Sequence, residues 1–347
     1  MKQILLDAMD SDTLSMDAVR ALFAWQVQRI DAVGGLARAR GIDPAAIDHW
    51  LEVPPVFTAA FKRYALFGGD EPVAEFRTSG TSGQGFGRSL FSADGLDLMA
   101  AAVRRNADRM LFPDRVATRV MVLAPPPDAA PHLIMAWGMA RLVAEFGTPD
   151  SGFCVGPDGL DVAAVLHTLE RSVEPVTLIG ASFGFVHLLD AMDDAGRRVA
   201  LPKGSRIMDA GGFKGRSRVV DRGELMASFT RLLGVPASHQ VNVLGMTELA
   251  SQFYDNALSN PTGPRVKVNP PWTATAALDP HTLEPVPDGE VGVLRHLDLA
   301  NIDRPFVVQT DDLGRCVDGG FEVLGRAVNA NDRGCSITVD ALIRGEG

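Results

Sequence analysis

Apolar residues recur every three or four positions near the start of the chain, between residues 12 and 40. The apolar positions are Leu14, Val19, Leu22, Phe23, Val27 and Ile30. This spacing places them on one face of a helix, so it predicts an amphipathic helix or a pair of helices. Residues 57–67, which follow two consecutive prolines, mix apolar and basic positions in a similar way and are also predicted to be helical.

The middle of the chain alternates short apolar runs with longer runs of helical character. Residues 116–124 and 173–182 are typical of buried strands, and residues 131–146 and 184–195 are typical of helices that follow such strands. The alternation predicts an α/β fold in which layered mixed sheets are flanked by helices.

The last third of the chain has a different pattern, with short strands separated by turns. From about residue 261 this pattern predicts a β-rich subdomain, with hairpins at 287–299 and 312–325. The expected organisation is therefore a helical segment over residues 1–50, packed on a core that covers residues 51–347.

Composition and charge exclude several classes of protein. The chain has 347 residues, 46% of them hydrophobic, which is enough for one large core or two modest ones. A formal net charge of −10 disfavours nucleic acid as a partner, because binding to phosphate backbones needs a basic surface. No apolar run is long enough to span a membrane, and acidic residues interrupt the N-terminus early, so a cytoplasmic protein is expected.

The three cysteines do not form a recognisable framework. Cys154, Cys316 and Cys335 are scattered, and none belongs to a CxxC pair that could hold zinc. Each thiol therefore has to be judged by its surroundings.

A loop of hydroxyl and glycine residues is the most informative segment of the sequence. It contains Thr78, Ser79, Gly80, Thr81, Ser82 and Gly83. Glycine permits a close backbone approach, and the hydroxyls add donors, so such a loop can surround phosphate groups. It matches neither a Walker A motif nor a GxGxxG motif, and an ordinary surface loop has a similar composition.

Two further motifs carry acidic residues that suit a nucleotide. Gly245, Met246, Thr247 and Glu248 follow an apolar strand-like run, where a carboxylate can hold Mg²⁺ and a threonine hydroxyl can reach a phosphoryl oxygen. Downstream, the aspartates of a TDDLGR segment can accept hydrogen bonds from ribose hydroxyls, and an LGR segment follows. Each motif alone is also typical of a capped turn.

Taken together, TSGTSGQ, GMTE, TDDLGR and LGR occur in the order and rough spacing of the phosphate, Mg²⁺/phosphate, ribose and Gly-Arg motifs of adenylate-forming enzymes. The segments WLEVPPVFTAAFKRYALF, MDAGGFKG and RGCSI resemble the acyl-protein synthetase family of bacterial luminescence systems. The resemblance spans nearly the whole chain. It implies the N-terminal core of an adenylate-forming enzyme.

The resemblance also implies a reaction and a set of site residues. A carboxylate would attack the α-phosphate of ATP, giving an acyl-adenylate and pyrophosphate, with Mg²⁺ held by Glu248 and donors from the hydroxyl-glycine loop. The further residues expected to bind ATP or substrate are Asp312 at the ribose, Arg326 in the Gly-Arg motif, Gly211 and Gly212 beside adenine, and Lys214 at a phosphate or carboxylate. The acyl pocket is expected to include His132, Gly180, Ala181 and Phe183.

One departure from the superfamily affects the second half-reaction. The chain ends at Gly347, soon after the Gly-Arg motif, so the usual mobile C-terminal lid domain is not expected, and no residue matches its lysine. Acyl-protein synthetases take the acyl group onto a cysteine near the C-terminus. Cys335 matches that position, and the neighbouring Arg333 would favour its thiolate. An acyl reductase or an acyl-carrier or transferase protein is the partner that the resemblance implies.

Alternative functions remain open from the sequence. The acceptor could be coenzyme A or another external nucleophile instead of Cys335. Residues 180–184 form a GxSxG pattern between a strand and a helix, so a serine hydrolase or transferase could use Ser182 with Asp209 and either His239 or His281. A subunit that binds a nucleotide without catalysis is a further hypothesis.

Overall fold

The computed structural model describes residues 1–77, 87–211 and 220–326. The chain divides into two compact units, each built from separated segments. The first unit takes its described residues from Met1–Ala102, from Met246–Ser251 and from Val266 onwards. The second unit takes them from Val103–Gly245 and Gln252–Arg265. The predicted division at residue 50, with a β-rich subdomain from about residue 261, stays a prediction.

The helices found in the described residues are α1 (Lys2–Met9), α2 (Met16–Arg29), α3 (Asp31–Arg40), α4 (Ala93–Met110), α5 (Ile134–Phe146), α6 (Val162–Arg171), α7 (Ser182–Asp194) and α8 (Arg222–Leu233). Short 3₁₀ helices cover Trp50–Glu52, Thr58–Lys62 and Ala237–His239.

The strands found in the same ranges are β1 (Val56–Phe57), β2 (Ala74–Arg77), β3 (Arg88–Phe91), β4 (Arg119–Leu123), β5 (Gly152–Phe153), β6 (Val155–Gly156), β7 (Gly159–Leu160), β8 (Val176–Ala181), β9 (Arg206–Ala210), β10 (Gln240–Leu244), β11 (Phe253–Tyr254), β12 (Thr273–Leu278), β13 (Gly292–Asp298), β14 (Val307–Val317) and β15 (Gly320–Arg326).

The second unit contains a sheet with the strand order β11-β10-β9-β8-β4-β5. All neighbouring pairs are parallel except β10 and β11. Every residue of β8 and β9 is buried, because parallel strands with helices on their faces lose contact with water on both sides. Side chains of α7 and α8 complete the core, where Phe185 packs edge-on against Phe229.

The first unit contains a sheet with the order β1-β14-β13-β12, and β15 pairs with β14. The pairs among β12 to β15 are antiparallel, whereas β1 runs parallel to β14. In the same unit, Phe23 of α2 contacts Phe306, which precedes β14. This contact joins the N-terminal helices to the β-rich end of the chain within one core.

Most of the predicted elements are confirmed. Residues 12–40 form the helical pair α2 and α3, with Ser15 capping the first helix and Gly41 ending the second at a φ of +64°. The strands predicted at 116–124 and 173–182 and the helices predicted at 131–146 and 184–195 correspond to β4, β8, α5 and α7. The hairpin predicted at 312–325 corresponds to β14 and β15.

Two predicted elements are wrong. Residues 57–67 are not one helix, because Val56 and Phe57 pair with β14 and only Thr58–Lys62 follow as a 3₁₀ helix. Pairing with a strand about 250 residues away leaves no signal in the local pattern. Residues 287–299 hold a single strand, β13, whose hairpin partner is the upstream strand β12.

Candidate functional site

The segment after β10 forms a buried turn. Thr247 and Glu248 are each only 8% exposed, although neither residue type is usually found inside a protein. The N–H of Leu249 donates to the carbonyl of Met246, which closes the turn. Gly245 lies at the end of β10 in the second unit, whereas Met246–Ser251 belongs to the first.

A fully buried aspartate at the end of β13 holds the far side of this turn. Asp298 Oδ2 accepts from the backbone N–H groups of Ala250, at 2.8 Å, and Ser251, at 2.7 Å. Its Oδ1 accepts from Ser251 Oγ at 2.7 Å and from the Ala300 N–H at 3.0 Å. Burial raises the pKa of Asp298, and these donors act in the opposite direction. The carboxylate is therefore fully engaged as a support for the backbone.

Asn301 holds the near side of the same turn. Its Nδ2 donates to the carbonyl of Glu248 at 2.8 Å and to the carbonyl of Pro305 at 3.1 Å. Its Oδ1 accepts from the guanidinium of Arg304, which is 1% exposed and lies over the ring of Phe91. The loop between β13 and β14 thus fixes the main chain on both sides of Glu248.

The carboxylate of Glu248 is left with little compensation. Burial raises its pKa above the usual range, and the charge of Asp312 adds to that increase. The pKa of Glu248 is lowered by its own backbone N–H and by the charges of Arg326 and Arg304. Glu248 nevertheless forms no ion pair with any described residue. A buried carboxylate in this condition is suited to a cation.

The second acidic residue of the site lies on the hairpin of β14 and β15. Asp312 is 9% exposed and faces Arg326 across the hairpin, with Arg326 Nε 3.2 Å from Asp312 Oδ1. Burial raises the pKa of Asp312, while Arg326 lowers it. Asp311, its neighbour, is exposed, so of the two aspartates Asp312 is the one built into the fold. The charges of Asp312 and Arg326 both act on Glu248, so the fold places residues of three separated motifs in one cluster of the first unit.

The donors present limit which metal ions the site suits. In residues 1–77, 87–211 and 220–326 no group of three or more His, Cys, Asp or Glu side chains could hold an ion by itself. Mg²⁺ usually keeps water and phosphate oxygens and takes only one or two carboxylates from the protein. The single buried carboxylate of Glu248 fits that role.

Several predicted site residues lie outside the described residues. These are Thr78, Ser79, Gly80, Thr81, Ser82, Gly83, Gly212, Lys214 and Cys335. Gly211 is described, follows β9 with a φ of +74°, and accepts a hydrogen bond from Ser182 Oγ through its carbonyl. That φ favours glycine, since a Cβ would be strained there. Its predicted place beside adenine stays a prediction.

The predicted acyl-pocket residues lie in the second unit. Gly180 and Ala181 end β8 and are buried, and Phe183 is half-buried in the first turn of α7. A Cβ on Gly180 would lie 2.9 Å from the Cβ of Leu123, so close packing against β4 accounts for this glycine. His132 is exposed in the turn before α5. The substrate roles of these four residues stay predictions.

The GxSxG segment does not form a hydrolase triad. Ser182 is 3% exposed, and its single hydroxyl hydrogen is shared between Asp209 Oδ2, 3.1 Å from Oγ, and the Gly211 carbonyl oxygen, 2.9 Å from Oγ. The Asp209 carboxylate also accepts hydrogen bonds from the guanidinium of Arg222, at 2.6 Å, and from the side-chain amide of Asn242, at 3.0 Å. A triad needs a histidine between serine and acid, and no histidine bonds Ser182 in the described chain. The serine therefore fixes the end of β9.

Sequence reasoning missed Asp298 and Asn301, which support the site without belonging to any motif. One signal was present, since both stand in an apolar stretch, HLDLANIDRPFVV, where polar residues imply buried hydrogen bonds. The sequence does not reveal the hydrogen-bond partners of these two residues, because partners such as Asn301 and Glu248 are 53 residues apart.

Several solved structures share the fold of this chain. An open form of 2-hydroxyisobutyryl-CoA ligase, in complex with 2-HIB-AMP and CoA, matches with a TM-score of 0.67 at 14% identity, over 90% of this chain and 74% of that one. ATP-bound MatB from Rhodopseudomonas palustris matches with a TM-score of 0.52 at 17% identity, over 75% of this chain but only 49% of that one. The fold is that of the adenylate-forming ligases.

The sequence comparisons identify the family within that class. The family described as acyl-protein synthetase, LuxE, matches residues 31–343, so the chain belongs to that family of ligases. A long-chain-fatty-acid–luciferin-component ligase of Vibrio harveyi is 26% identical over 303 residues, covering 82% of this chain and 77% of the relative. The ligase of the same description from Aliivibrio fischeri is 29% identical over 170 residues, covering 47% and 43%. No helix in the described part of the chain is long and apolar enough to cross a membrane.

Proposed function

We propose that this protein activates a carboxylic acid with ATP and then passes the acyl group to a thiol. In the first step a carboxylate oxygen attacks the α-phosphorus, an acyl-adenylate forms, and the bond to pyrophosphate breaks. In the second step a thiolate attacks the acyl carbonyl, a thioester forms, and AMP leaves with the electron pair of the broken bond.

The observation that carries the proposal is the cluster of Glu248, Asp312 and Arg326. These residues come from the GMTE, TDDLGR and LGR motifs, and they interact electrostatically in one unit. Ordinary capped turns would have no reason to bury two acids near each other, because each burial costs free energy. A ligand with hydroxyl donors and a bound cation would offset that cost.

Each residue has a role that matches its surroundings. Asp312 would accept hydrogen bonds from the ribose, and Arg326 would keep the Asp312 carboxylate charged and oriented. Thr247 would donate to a phosphoryl oxygen, together with the hydroxyls and amides of residues 78–83. Mg²⁺, when bound to Glu248 and phosphate oxygens, would neutralise charge that builds up on the phosphates. Asp298 and Asn301 act as positioning residues, since they hold the main chain of the turn.

Family membership supports a proposal for the substrate and for the acceptor. We propose a fatty acid as the substrate, in line with the long-chain-fatty-acid ligases among the relatives. Cys335 is the proposed acceptor, with an acyl reductase or a carrier or transferase protein as the partner that takes the thioester. The proposed location is the cytoplasm.

The activation step is tested by acid-dependent pyrophosphate release from ATP and Mg²⁺, using fatty acids of several chain lengths and aromatic acids. Glu248→Gln should reduce the rate about 100-fold or more, because it removes the charge that holds the cation. Glu174→Gln, an exposed position, is the matched control and should keep the wild-type rate. Absence of pyrophosphate release with every acid would overturn the adenylating function.

The transfer step is tested by intact-protein mass spectrometry after incubation with ATP, Mg²⁺ and the preferred acid. A hydroxylamine-labile acyl adduct should form on wild type and on Cys316→Ala, and should be absent from Cys335→Ala. Cys316 is half-buried and its pKa is raised by burial, so its thiol is a poor nucleophile. Pyrophosphate release without an adduct on any variant would point to an external acceptor such as coenzyme A.

A further inference from the structure

A pocket of about 260 Å³ lies in the first unit, away from the motifs described above. Two arginines line it: Arg295, from β13, and Arg40, the last residue of α3. Leu51 and Leu283 supply apolar contacts, and Thr282 and Glu284 belong to the same wall. None of these residues belongs to the motifs assigned to ATP, so the pocket needs a separate explanation.

Arg295 is the unusual member of this set. It is 6% exposed, and its one hydrogen bond within the described residues runs from Nε to Gln309 Oε1, at 3.0 Å. Gln309 is neutral, and its side-chain amide donates to the carbonyls of Leu294 and Thr310. A buried guanidinium normally has a carboxylate partner, because an unpaired buried charge is costly. Arg295 lines the pocket and has no carboxylate partner within the described chain.

The second arginine increases the positive charge around the same space. Arg40 forms no hydrogen bond or ion pair with described residues. Burial, and to a smaller extent the charge of Arg40, lower the pKa of Arg295 to about 10. The charge of Glu284 raises the pKa of Arg295, but Glu284 forms no ion pair with either arginine among the described residues. With a pKa of about 10, Arg295 is still charged at neutral pH, and two arginines face one glutamate among the lining residues, so the pocket carries an excess of positive charge.

The turn that contributes Thr282 and Leu283 to the pocket is fixed by hydrogen bonds to Asp279. Asp279 Oδ1 accepts from the N–H groups of His281 and Thr282, each at 2.8 Å. The next residue, Leu283, has a φ of +59°, which is unfavourable for a leucine. The hydrogen bonds to Asp279 therefore fix the backbone from which the side chains of Thr282 and Leu283 line the pocket.

We propose that this pocket is a second ligand site, one that binds the phosphate group of a small molecule between Arg40 and Arg295. Two guanidinium forks can share the oxygens of one phosphate dianion, which neutralises both cations. The hydroxyl of Thr282 adds a polar contact, and Leu51 and Leu283 would contact a short organic group attached to the phosphate. This site is independent of the adenylating chemistry proposed above.

The experiment is a calorimetric titration of the full chain with inorganic phosphate, at constant ionic strength set by chloride. Arg40→Ala decides the outcome, because this side chain is exposed and we expect its loss to leave the fold unchanged. We expect saturable binding to wild type and at least tenfold weaker binding to Arg40→Ala. Arg38→Ala removes the same charge from the same helical turn, outside the pocket, and should bind as wild type does.

Two further arms sharpen the test. Arg295→Gln should also weaken binding at least tenfold, and a dicarboxylate such as succinate should bind more weakly than phosphate. The proposal is overturned if wild type shows no saturable binding, if Arg40→Ala binds like wild type, or if succinate binds as well as phosphate.

Discussion

Two buried carboxylates in the first unit, those of Asp298 and Glu248, differ in how their charge is compensated. Asp298 is surrounded by four donors, so its charge is compensated by the protein itself. Glu248 has no donor from another residue in the described chain, and burial raises its pKa. The first arrangement is structural, whereas the second leaves a buried charge that the described residues compensate only in part, so that a bound cation would stabilise it further.

This difference predicts that Glu248→Gln stabilises the protein in the absence of ligand. The ordinary pKa of a glutamate is near 4.5, and the folded value is higher. Between these two values the folded state binds a proton that the unfolded state does not, so wild type loses stability as the pH rises through this window. Glutamine carries no charge and avoids that loss.

Thermal melting without Mg²⁺ or nucleotide provides the measurement. At pH 7.5 the variant should melt at a higher temperature than wild type, and the difference should shrink as the pH is lowered toward 5. Glu174→Gln should show no such trend. A variant that melts below wild type at pH 7.5 would contradict the interpretation of Glu248.

At the scale of elements, the junction between β8 and α7 depends on two glycines. A Cβ on Gly184 would lie 2.7 Å from the carbonyl oxygen of Leu123, and one on Gly180 would lie 2.9 Å from the Leu123 Cβ. Both distances are too short for real contacts, so β4, β8 and α7 can pack this closely only with glycine at these positions.

The prediction at this scale compares two Gly→Ala substitutions in helices. Gly184→Ala should destabilise the protein by about 1–3 kcal/mol, because Leu123 or α7 must shift. Gly138→Ala in α5 has open space at the Cβ position and should stabilise it by about 0.5–1 kcal/mol through helix propensity. Urea denaturation of both variants measures the changes, and equal effects of the same sign would refute the packing argument.

At the scale of the whole molecule, each unit is assembled from distant parts of the chain. In the first unit Gln26 of α2, which is fully buried, donates to the carbonyl of Asn301 at 2.7 Å and to that of Arg304 at 2.6 Å. It also accepts from the N–H of Phe306 at 3.3 Å. These bonds cross about 275 residues of sequence and hold the loop that supports Glu248.

Removing this link should affect both stability and the proposed activity. Gln26→Ala should cost about 2–4 kcal/mol in the free energy of unfolding, because it leaves a cavity and unpaired carbonyls. Pyrophosphate release should also fall, since the support of the turn is loosened. Gln3→Ala, at an exposed position of α1, should change stability by less than about 0.5 kcal/mol. Equal stabilities of the two variants in urea denaturation would show that Gln26 does not anchor the loop.

The prediction from sequence succeeded where the information is local. The periodicity of α2 and α3, the apolar runs of β4 and β8, and the turn at the β14–β15 hairpin each need only a few neighbouring residues to form. It failed at residues 57–67, where parallel pairing with β14 overrides a helical pattern. It also missed Asp298 and Asn301, whose importance comes from partners far along the chain.

The sequence alone determined the family of this protein, its α/β layers and the order of its motifs, because these depend on residue types and on their spacing along the chain. Only the tertiary structure decided that Glu248 is buried with a charge compensated only in part, that Ser182 supports β9, and that two arginines share one pocket. Those properties depend on distance and on exclusion of water, and the folded chain brings together residues that the sequence keeps apart.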